Sequence, residues 1–157
     1  VSVNLFAFYH AQTFATLLVL TAPVAIVAQN ANSRMHLLEW VAVGGWGISF
    51  LLENVADFQL DQFRRRTSGN SGVCRSGFWN YSRHPNYFGE ATFWWGIWIA
   101  SASMGGAWTL FSPLLMTWLL TRVSGVPLLE ADLQQRSQAY RDYLQTTPRF
   151  FPGRPKR

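Results

Sequence analysis

Cysteine and charged residues are both scarce in this chain of 157 residues. A single cysteine, Cys74, excludes a disulfide framework or a thiolate metal site built within one chain. Charged residues make up 13% of the sequence, about half of the roughly 25% that is usual for soluble domains. Apolar residues make up 49% and aromatic residues 16%, and long stretches of the sequence contain few charged residues. This balance predicts an integral membrane protein whose partner is the lipid bilayer.

The excess of positive charge does not by itself indicate nucleic acid. The net charge is +5, but no nucleic-acid-binding motif accompanies it and the aromatic residues lie inside long apolar runs. His84 is far from His10 and His36, and no H-E-x-x-H pattern is present, so we expect no metal site. Ser76 and Ser82 lack the context of a nucleophile elbow, which argues against a serine-based triad.

Apolar segments of suitable length predict about four membrane spans, since a helix needs about 20 residues to cross the bilayer core. The expected spans are 5–28, 37–56, 87–104 and 107–123. A cytoplasmic amphipathic helix at 128–147 is expected to follow them. Gly44, Gly45 and Gly47 predict that a neighbouring helix approaches the second span closely. The predicted fold is therefore an all-α polytopic membrane helical bundle.

Basic residues set the predicted orientation of these spans. The loop before the third span and the tail after the fourth hold nearly all of them, and only Arg34 falls on the other side. By the positive-inside rule, the loop and the tail face the cytoplasm. We expect the endoplasmic reticulum in a eukaryote or the inner membrane in a bacterium. Because the chain begins with Val1 and has no signal-peptide pattern, residues 1–157 are expected to be one membrane domain, the C-terminal part of a longer protein.

Ionisable residues concentrate at the inner end of the second span. Glu53, Asp57 and Asp61 recur every four residues, so they lie on one face of a helix. Charged groups inside a span are costly and usually mark a functional cavity, which favours a function for Glu53 and Asp57. Asp61 and Arg66 are better explained as the solvated end of that helix.

The stretch WNYSRHPNYFGEATFWWG, residues Trp79–Gly96, combines cations, a proline and a carboxylate beside an aromatic run. Pro85 disfavours helix at His84 and suits the first turn of a new helix near Asn86. A helix N-terminus that faces a cavity attracts phosphate, and nearby arginines add charge-assisted hydrogen bonds. The stretch therefore predicts a pocket for an anionic cofactor, whereas the tryptophans that follow fit an interfacial aromatic belt.

Three strings resemble the C-terminal membrane domain of the steroid 5-alpha-reductase and sterol-reductase family: FLLENVADFQLDQFRRR, GFWNYSRHPNYFGEATFWWG and SGVPLLEADLQQRSQAYRDYLQTTPRFFP. The resemblance extends from about Val24 to Pro152 and is most specific in YSRHPNYFGE, which marks one branch of that family. It implies an NADPH-dependent reductase of a carbon–carbon double bond in a lipophilic substrate of the steroid, sterol or fatty-acyl type. The dinucleotide is expected in a cytoplasm-facing pocket among the helices.

The resemblance also implies roles for particular residues. The predicted cofactor-binding set consists of residues that the resemblance implies, of Glu53, whose charge inside a span already favours a function, and of Arg75. Its members are Glu53, Asp57, Arg64, Arg75, Tyr81, Arg83, His84, Asn86, Tyr87, Glu90, Glu130 and Tyr140. Arg75 is included because Asn80 stands where the family commonly has a basic residue. In steroid reductases the proton donor lies in helices that precede this domain, so Tyr87 and His84 are the candidate catalytic substitutes here.

Two alternatives stay open. Membrane methyltransferases of the isoprenylcysteine or phospholipid type share an Arg-His-Pro-x-Tyr-x-Gly core and an acidic tail, and they use S-adenosylmethionine. Glu90 after Gly89 favours the reductase, because those methyltransferases typically carry an apolar residue there. The other alternative is a non-catalytic cofactor-binding membrane scaffold.

Overall fold

The computed structural model describes residues 20–29, 36–67, 72–123 and 126–156. Helices are the only regular elements in these ranges, which confirms the predicted all-α class. The α-helices are α1 (residues 20–29), α2 (Leu37–Thr67), α3 (Pro85–Ser103), α4 (Phe111–Trp118), α5 (Val126–Arg136) and α6 (Gln138–Thr146). Short 3-10 helices at Gly77–Asn80 and Ala107–Leu110 precede α3 and α4, and a π-helical turn at Leu119–Val123 follows α4.

The helices differ in length from the predicted spans. The second segment continues to Thr67, where Arg64, Arg65 and Arg66 occupy the last turn and complement the helix dipole. The third segment, predicted at 87–104, is α3. Residues 107–123 are helical throughout but combine three types of helix. The first predicted span, 5–28, lies mostly outside the described residues. No helix in the described ranges has both the length and the apolarity of a membrane-spanning segment.

The prediction of one tail helix at 128–147 is wrong. The segment forms α5 and α6, separated at Ser137, which has an extended backbone (φ −141°, ψ 122°). The Ser137 hydroxyl accepts a hydrogen bond from the Tyr140 backbone N–H at 3.3 Å. Serine is a preferred N-cap because its side chain satisfies an amide that has no partner inside the helix. This cap starts a new helix where amphipathic spacing alone predicted continuation.

Helices α2 and α3 pack closely along glycines of α3. A Cβ atom added at Gly89 would lie 2.9 Å from the backbone nitrogen of Glu53. One added at Gly96 would lie 3.5 Å from the backbone nitrogen of Trp46. The glycines of α2 that predicted a close contact, at positions 44, 45 and 47, have no such neighbour within 4 Å among the described residues. The close approach therefore depends on α3, because its missing side chains leave room for the α2 backbone.

The C-terminal segment, residues 147–156, packs against the loop that precedes α3. The Arg83 N–H donates to the Pro148 carbonyl at 2.9 Å, and the Gly153 N–H donates to the Tyr81 carbonyl at 2.9 Å. The Ser82 hydroxyl donates to the Phe150 carbonyl at 2.8 Å. The Phe150 ring is buried in the hydrophobic core. These bonds fix the loop that carries the Arg-His-Pro motif.

Candidate functional site

A cavity of about 740 Å³ lies between the C-terminal half of α2, the loop before α3, the first turn of α3, and helices α5 and α6. Its volume falls within the range of about 300–1,000 Å³ that is typical of ligand pockets. Seven of the predicted site residues line it: Asp57, Arg64, Arg83, His84, Asn86, Tyr87 and Tyr140. Leu60, Phe63, Leu129 and Leu133 add apolar walls. The cavity therefore collects residues from segments that are distant in the sequence.

The Arg-His-Pro motif forms the entrance to α3 as the proline predicts. His84 is the N-cap residue with a non-helical backbone (φ −138°, ψ 60°), and Pro85 begins the helix. The His84 N–H donates to the Ser82 hydroxyl at 3.2 Å. The His84 ring stacks on the Tyr87 ring with centroids 5.8 Å apart and planes 11° apart. Both candidate catalytic side chains thus occupy one wall of the cavity.

Glu130 contacts the side chains of Arg83, His84 and Arg149 from outside the cavity lining. Its Oε1 lies 3.1 Å from Arg83 Nη1 and 3.2 Å from His84 Nε2, and its Oε2 lies 3.0 Å from Arg149 Nε. Glu130, Arg83 and His84 are all buried. Burial alone would raise the pKa of Glu130, but the His84 hydrogen bond and the charges of Arg83 and Arg149 hold this pKa below its ordinary value. Glu130 therefore stays ionised and positions the two motif side chains.

Three cavity-lining residues carry buried polar atoms that have no hydrogen-bond partner in the described part of the chain: Arg83 Nε, Asn86 Oδ1 and the Tyr140 hydroxyl. Arg83 is 8% exposed and Tyr140 is 5% exposed. Leaving such an atom unpaired costs about 1–3 kcal/mol. Burial raises the pKa of Tyr140 to about 12, so its hydroxyl keeps its proton and can donate. These atoms suit a polar ligand, because a ligand would supply the missing partners.

The charges of the lining favour an anionic ligand. Arg64 and Arg83 line the cavity together with one carboxylate, that of Asp57. Asp57 Oδ1 accepts a hydrogen bond from Asn86 Nδ2 at 3.0 Å, which joins α2 to the first turn of α3. Cations therefore outnumber carboxylates in the lining, and the amides of the first α3 turn add partial positive charge.

Hydrogen bonds from the lining residues Tyr143 and Trp79, and from Arg75, keep α6 against the loop. The Tyr143 hydroxyl donates to the carbonyls of Trp79 and Ser82, and burial raises the pKa of Tyr143, so this donor keeps its proton. Trp79 Nε1 donates to the Ala56 carbonyl at 2.9 Å. The Arg75 side chain donates to the Ala139 carbonyl at 2.8 Å, and its guanidinium carbon lies 5.4 Å from the centre of the Tyr143 ring.

Five members of the predicted cofactor-binding set are not part of the cavity lining: Glu53, Arg75, Tyr81, Glu90 and Glu130. Glu53 lies against Gly89 where α2 and α3 cross. Tyr81 is 49% exposed. Arg75 holds α6, and Glu130 holds Arg83 and His84 from behind. The predicted set therefore combines residues that line the cavity with residues that do not.

Sequence reasoning missed Arg149 and the apolar walls. Arg149 follows Glu130 by 19 residues, a separation that belongs to no helical or strand repeat. No pattern in the sequence pairs them, because the contact depends on how the C-terminal segment returns to the loop. The apolar walls come from α2 and α5, whose leucines and phenylalanine resemble any core residues in the sequence.

Comparison with known proteins identifies the family to which the chain belongs. A protein-family profile described as "Protein of unknown function (DUF1295)" matches residues 1–147. An uncharacterized protein of Schizosaccharomyces pombe is 27% identical over 173 residues, which cover 94% of this chain and 49% of that protein. The chain therefore spans about half the length of this relative. No solved structure matches it. Because the profile covers most of its length, the chain belongs to the DUF1295 family.

Proposed function

We propose that this chain is the NADPH-binding domain of a membrane reductase that acts on a carbon–carbon double bond of a steroid-like, sterol-like or fatty-acyl-like substrate. The observation that carries the proposal is the cavity at the N-terminus of α3, which combines a cationic lining with buried polar atoms that have no partner in the described residues. The resemblance of YSRHPNYFGE to the steroid 5-alpha-reductase family supplies the reaction class.

The residues of the cavity fit a phosphorylated dinucleotide. Arg64 and Arg83 are suited to phosphate groups, since a guanidinium forms paired charge-assisted hydrogen bonds with them. Asn86 Oδ1 and the Tyr140 hydroxyl are suited to the hydroxyl and amide groups of such a ligand. The apolar walls exclude water from ring systems that pack against them. When bound, NADPH supplies a hydride to the substrate.

Reduction also requires a proton at the substrate, and His84 and Tyr87 are the proposed donors within this chain. His84 Nε2 already contacts Glu130 Oε1 at 3.2 Å. Tyr87 lines the same cavity and stacks on the His84 ring. We assign the donor role to Tyr87 and a positioning role to His84, whose ring keeps the phenol in place.

The net positive charge of the lining favours NADPH over S-adenosylmethionine, the cofactor of the methyltransferase alternative. The methyl group of S-adenosylmethionine is carried by a sulfonium cation, which arginines repel. Asp57 is the one carboxylate of the lining, and it is hydrogen-bonded to Asn86. The charges of the cavity therefore favour an anionic cofactor.

The proposal includes the bilayer, with the cavity on the cytoplasmic side, in the endoplasmic reticulum of a eukaryote or the inner membrane of a bacterium. Its support is the composition and a set of large apolar side chains that are exposed: Leu37, Leu38, Trp40, Ile48, Leu51 and Phe58 on α2, and Trp108, Leu114 and Trp118 on the 107–118 segment. Exposed apolar surface of this kind marks contact with lipid or with another protein surface. Since the chain spans about half of its relative, we further propose that other segments of the full protein complete the substrate site.

Equilibrium binding to the purified chain in detergent tests the proposal. NADPH and S-adenosylmethionine are each titrated against the unchanged chain, Arg64→Ala and Arg66→Ala. The two variants remove the same charge from the last turns of α2, but only Arg64 lines the cavity. We expect Arg64→Ala to weaken NADPH binding about tenfold, as for the loss of one charge-assisted hydrogen bond. Arg66→Ala is expected to bind normally.

Three results would contradict the proposal. Binding of S-adenosylmethionine in preference to NADPH would assign the cavity to a methyltransferase. A folded chain that binds neither cofactor would favour the scaffold alternative. Equal weakening by Arg64→Ala and Arg66→Ala would show that the charge of the helix end, rather than the cavity, attracts the dinucleotide.

A further inference from the structure

A second cleft, of about 320 Å³, lies where the π-helical turn after α4 meets the C-terminal segment. We call it the Arg122 cleft, after one of the two arginines that line it together with Thr117, Thr121 and Phe151. It is distinct from the cavity at α3, although Arg149 lines the cleft and also binds Glu130 behind that cavity. Neither the sequence patterns nor the proposed cofactor site accounts for it.

The polar part of the cleft is cationic. No carboxylate contributes to its lining, and Arg122 is exposed without an ion-pair partner among the described residues. Arg149 uses its Nε for Glu130 at 3.0 Å, and its side chain remains 44% exposed. A guanidinium carries five N–H donors, so both arginines retain donors for an anion. The cleft therefore has unneutralised positive charge.

The hydroxyl oxygens of Thr117 and Thr121 are hydrogen-bond acceptors in the cleft. The Thr121 hydroxyl donates to the Thr117 carbonyl at 2.7 Å. The Thr117 hydroxyl oxygen accepts from Trp95 Nε1 at 3.2 Å. Because the Thr121 proton is engaged, its oxygen is left to accept a hydrogen bond from a ligand hydroxyl. An anion with a neighbouring hydroxyl matches this arrangement.

Apolar surface continues from the cleft. Phe151, which lines it, is 72% exposed, and Trp118 and Leu114 on α4 are 54% and 51% exposed. Leu114 and Trp118 are one helical turn apart, so they share a face of α4. An anionic group bound at the arginines would thus have exposed apolar side chains beside it, which is the chemical pattern of a phospholipid.

We propose that the Arg122 cleft binds the headgroup of an anionic phospholipid, with the phosphate at Arg122 and Arg149 and the acyl chains along Leu114 and Trp118. The inference rests on the membrane placement in the proposed function. A lipid with net negative charge is favoured over a zwitterionic lipid, because Arg122 has no carboxylate partner among the described residues and repels a choline cation. Basic clefts at the cytoplasmic ends of membrane helices commonly bind such headgroups.

The test uses the purified chain in a neutral detergent, titrated with short-chain phosphatidylglycerol and with phosphatidylcholine of the same chain length. Native mass spectrometry counts bound lipid for the unchanged chain, Arg122→Gln and Arg154→Gln. Arg154 is the matched control, since it is an exposed arginine of the C-terminal segment that does not line the cleft. We expect phosphatidylglycerol to be preferred and Arg122→Gln to weaken it about fivefold, with Arg154→Gln unchanged. Circular dichroism checks that each variant is folded.

Three results would overturn the inference. Equal binding of the two lipids would remove the requirement for net negative charge. Equal weakening by Arg122→Gln and Arg154→Gln would show general attraction to a basic surface. Displacement of the lipid by equimolar glycerol 3-phosphate would show a site for phosphate rather than for lipid.

The same preparations are titrated with NADPH, which separates this inference from the proposed function. Normal NADPH binding without a lipid preference would contradict the lipid site and leave the proposed reductase in place. A lipid preference that Arg122→Gln abolishes, without NADPH binding, would retain the lipid site and remove the reductase.

Discussion

Two glutamates near the cavity have opposite surroundings. Glu130 on α5 is buried and contacts Arg83, His84 and Arg149. Glu90 on α3 is half-buried, follows the glycine that contacts Glu53, and has no ion-pair partner among the described residues. The first carboxylate contacts two arginines and a histidine, whereas the second follows the glycine at which two helices cross. The difference teaches that charge holds α5 against the Arg-His-Pro loop, whereas close backbone contact holds α3 against α2.

Glu130→Ala is expected to have the largest effect on this comparison. It leaves Arg83 and His84 buried without their carboxylate, and breaking a buried ion pair in this way costs about 3–5 kcal/mol. The free energy of unfolding, measured by denaturant titration, should fall by that amount. Glu90→Ala is the matched control and should cost much less. A loss below 1 kcal/mol for Glu130→Ala would mean that the cluster is not held by charge.

Gly89→Ala tests the other side of the comparison. The new methyl group would lie 2.9 Å from the Glu53 backbone nitrogen, so α2 and α3 must separate, at a cost of about 1–3 kcal/mol. Gly47→Ala serves as the control, because a Cβ at that position has no neighbour within 4 Å among the described residues. This control should stabilise the helix by up to about 1 kcal/mol. Thermal unfolding of both variants measures the difference, and equal melting temperatures would contradict close packing at the crossing.

Tyr140→Phe separates ligand binding from stability. The hydroxyl has no partner in the described residues, so its removal should leave the free energy of unfolding unchanged or slightly raised. NADPH affinity should fall about fivefold through the loss of one hydrogen bond. Isothermal titration and denaturant unfolding of the same preparation give the two quantities. Unchanged affinity together with reduced stability would place the hydroxyl in the fold rather than at the ligand.

The pH dependence of stability gives the smallest expected effect. The pKa of Glu130 is lower in the folded chain than its ordinary value of 4.5, so the unfolded chain binds the proton more readily. The stabilising contribution of Glu130 is therefore complete above pH 4.5 and disappears as the pH falls through the folded pKa. The slope is at most about 1.4 kcal/mol per pH unit. Unfolding free energies of Glu130→Gln should lack this part of the acid dependence, and identical acid profiles would contradict it.

The sequence predicted the elements that local chemistry determines. Pro85 indicated where α3 begins, and the density of polar groups after Trp79 indicated the neighbourhood of the cavity. The break at Ser137 was missed, because an N-cap serine competes with a continuous amphipathic pattern. The close contact was assigned to the glycines of α2 rather than to Gly89, since the sequence does not show which helix face meets a neighbour.

The candidate site was predictable by region rather than by role. Asp57 and Asn86 were both assigned to the site, and their contact links α2 to α3. The division between lining residues and supporting residues, such as Tyr140 and Glu130, depends on where α5 and α6 lie. The contact of Arg149 with Glu130 depends on the path of the C-terminal segment. Neither placement follows from helical or strand periodicity.

The bonds between the Arg-His-Pro loop and the C-terminal segment also set the order in which the site is made. Ser82 and Phe150 are 68 residues apart, and a ribosome that adds about 5–20 residues per second needs roughly 3 to 14 seconds to cover that distance. During this interval the loop has been synthesised, but its acceptors at 148 and 150 have not. Arg83 and His84 therefore reach their final positions after α2 and α3 are available to pair. The cavity is complete only after residues 148–150 have been synthesised, and ligand binding follows the folding of this segment.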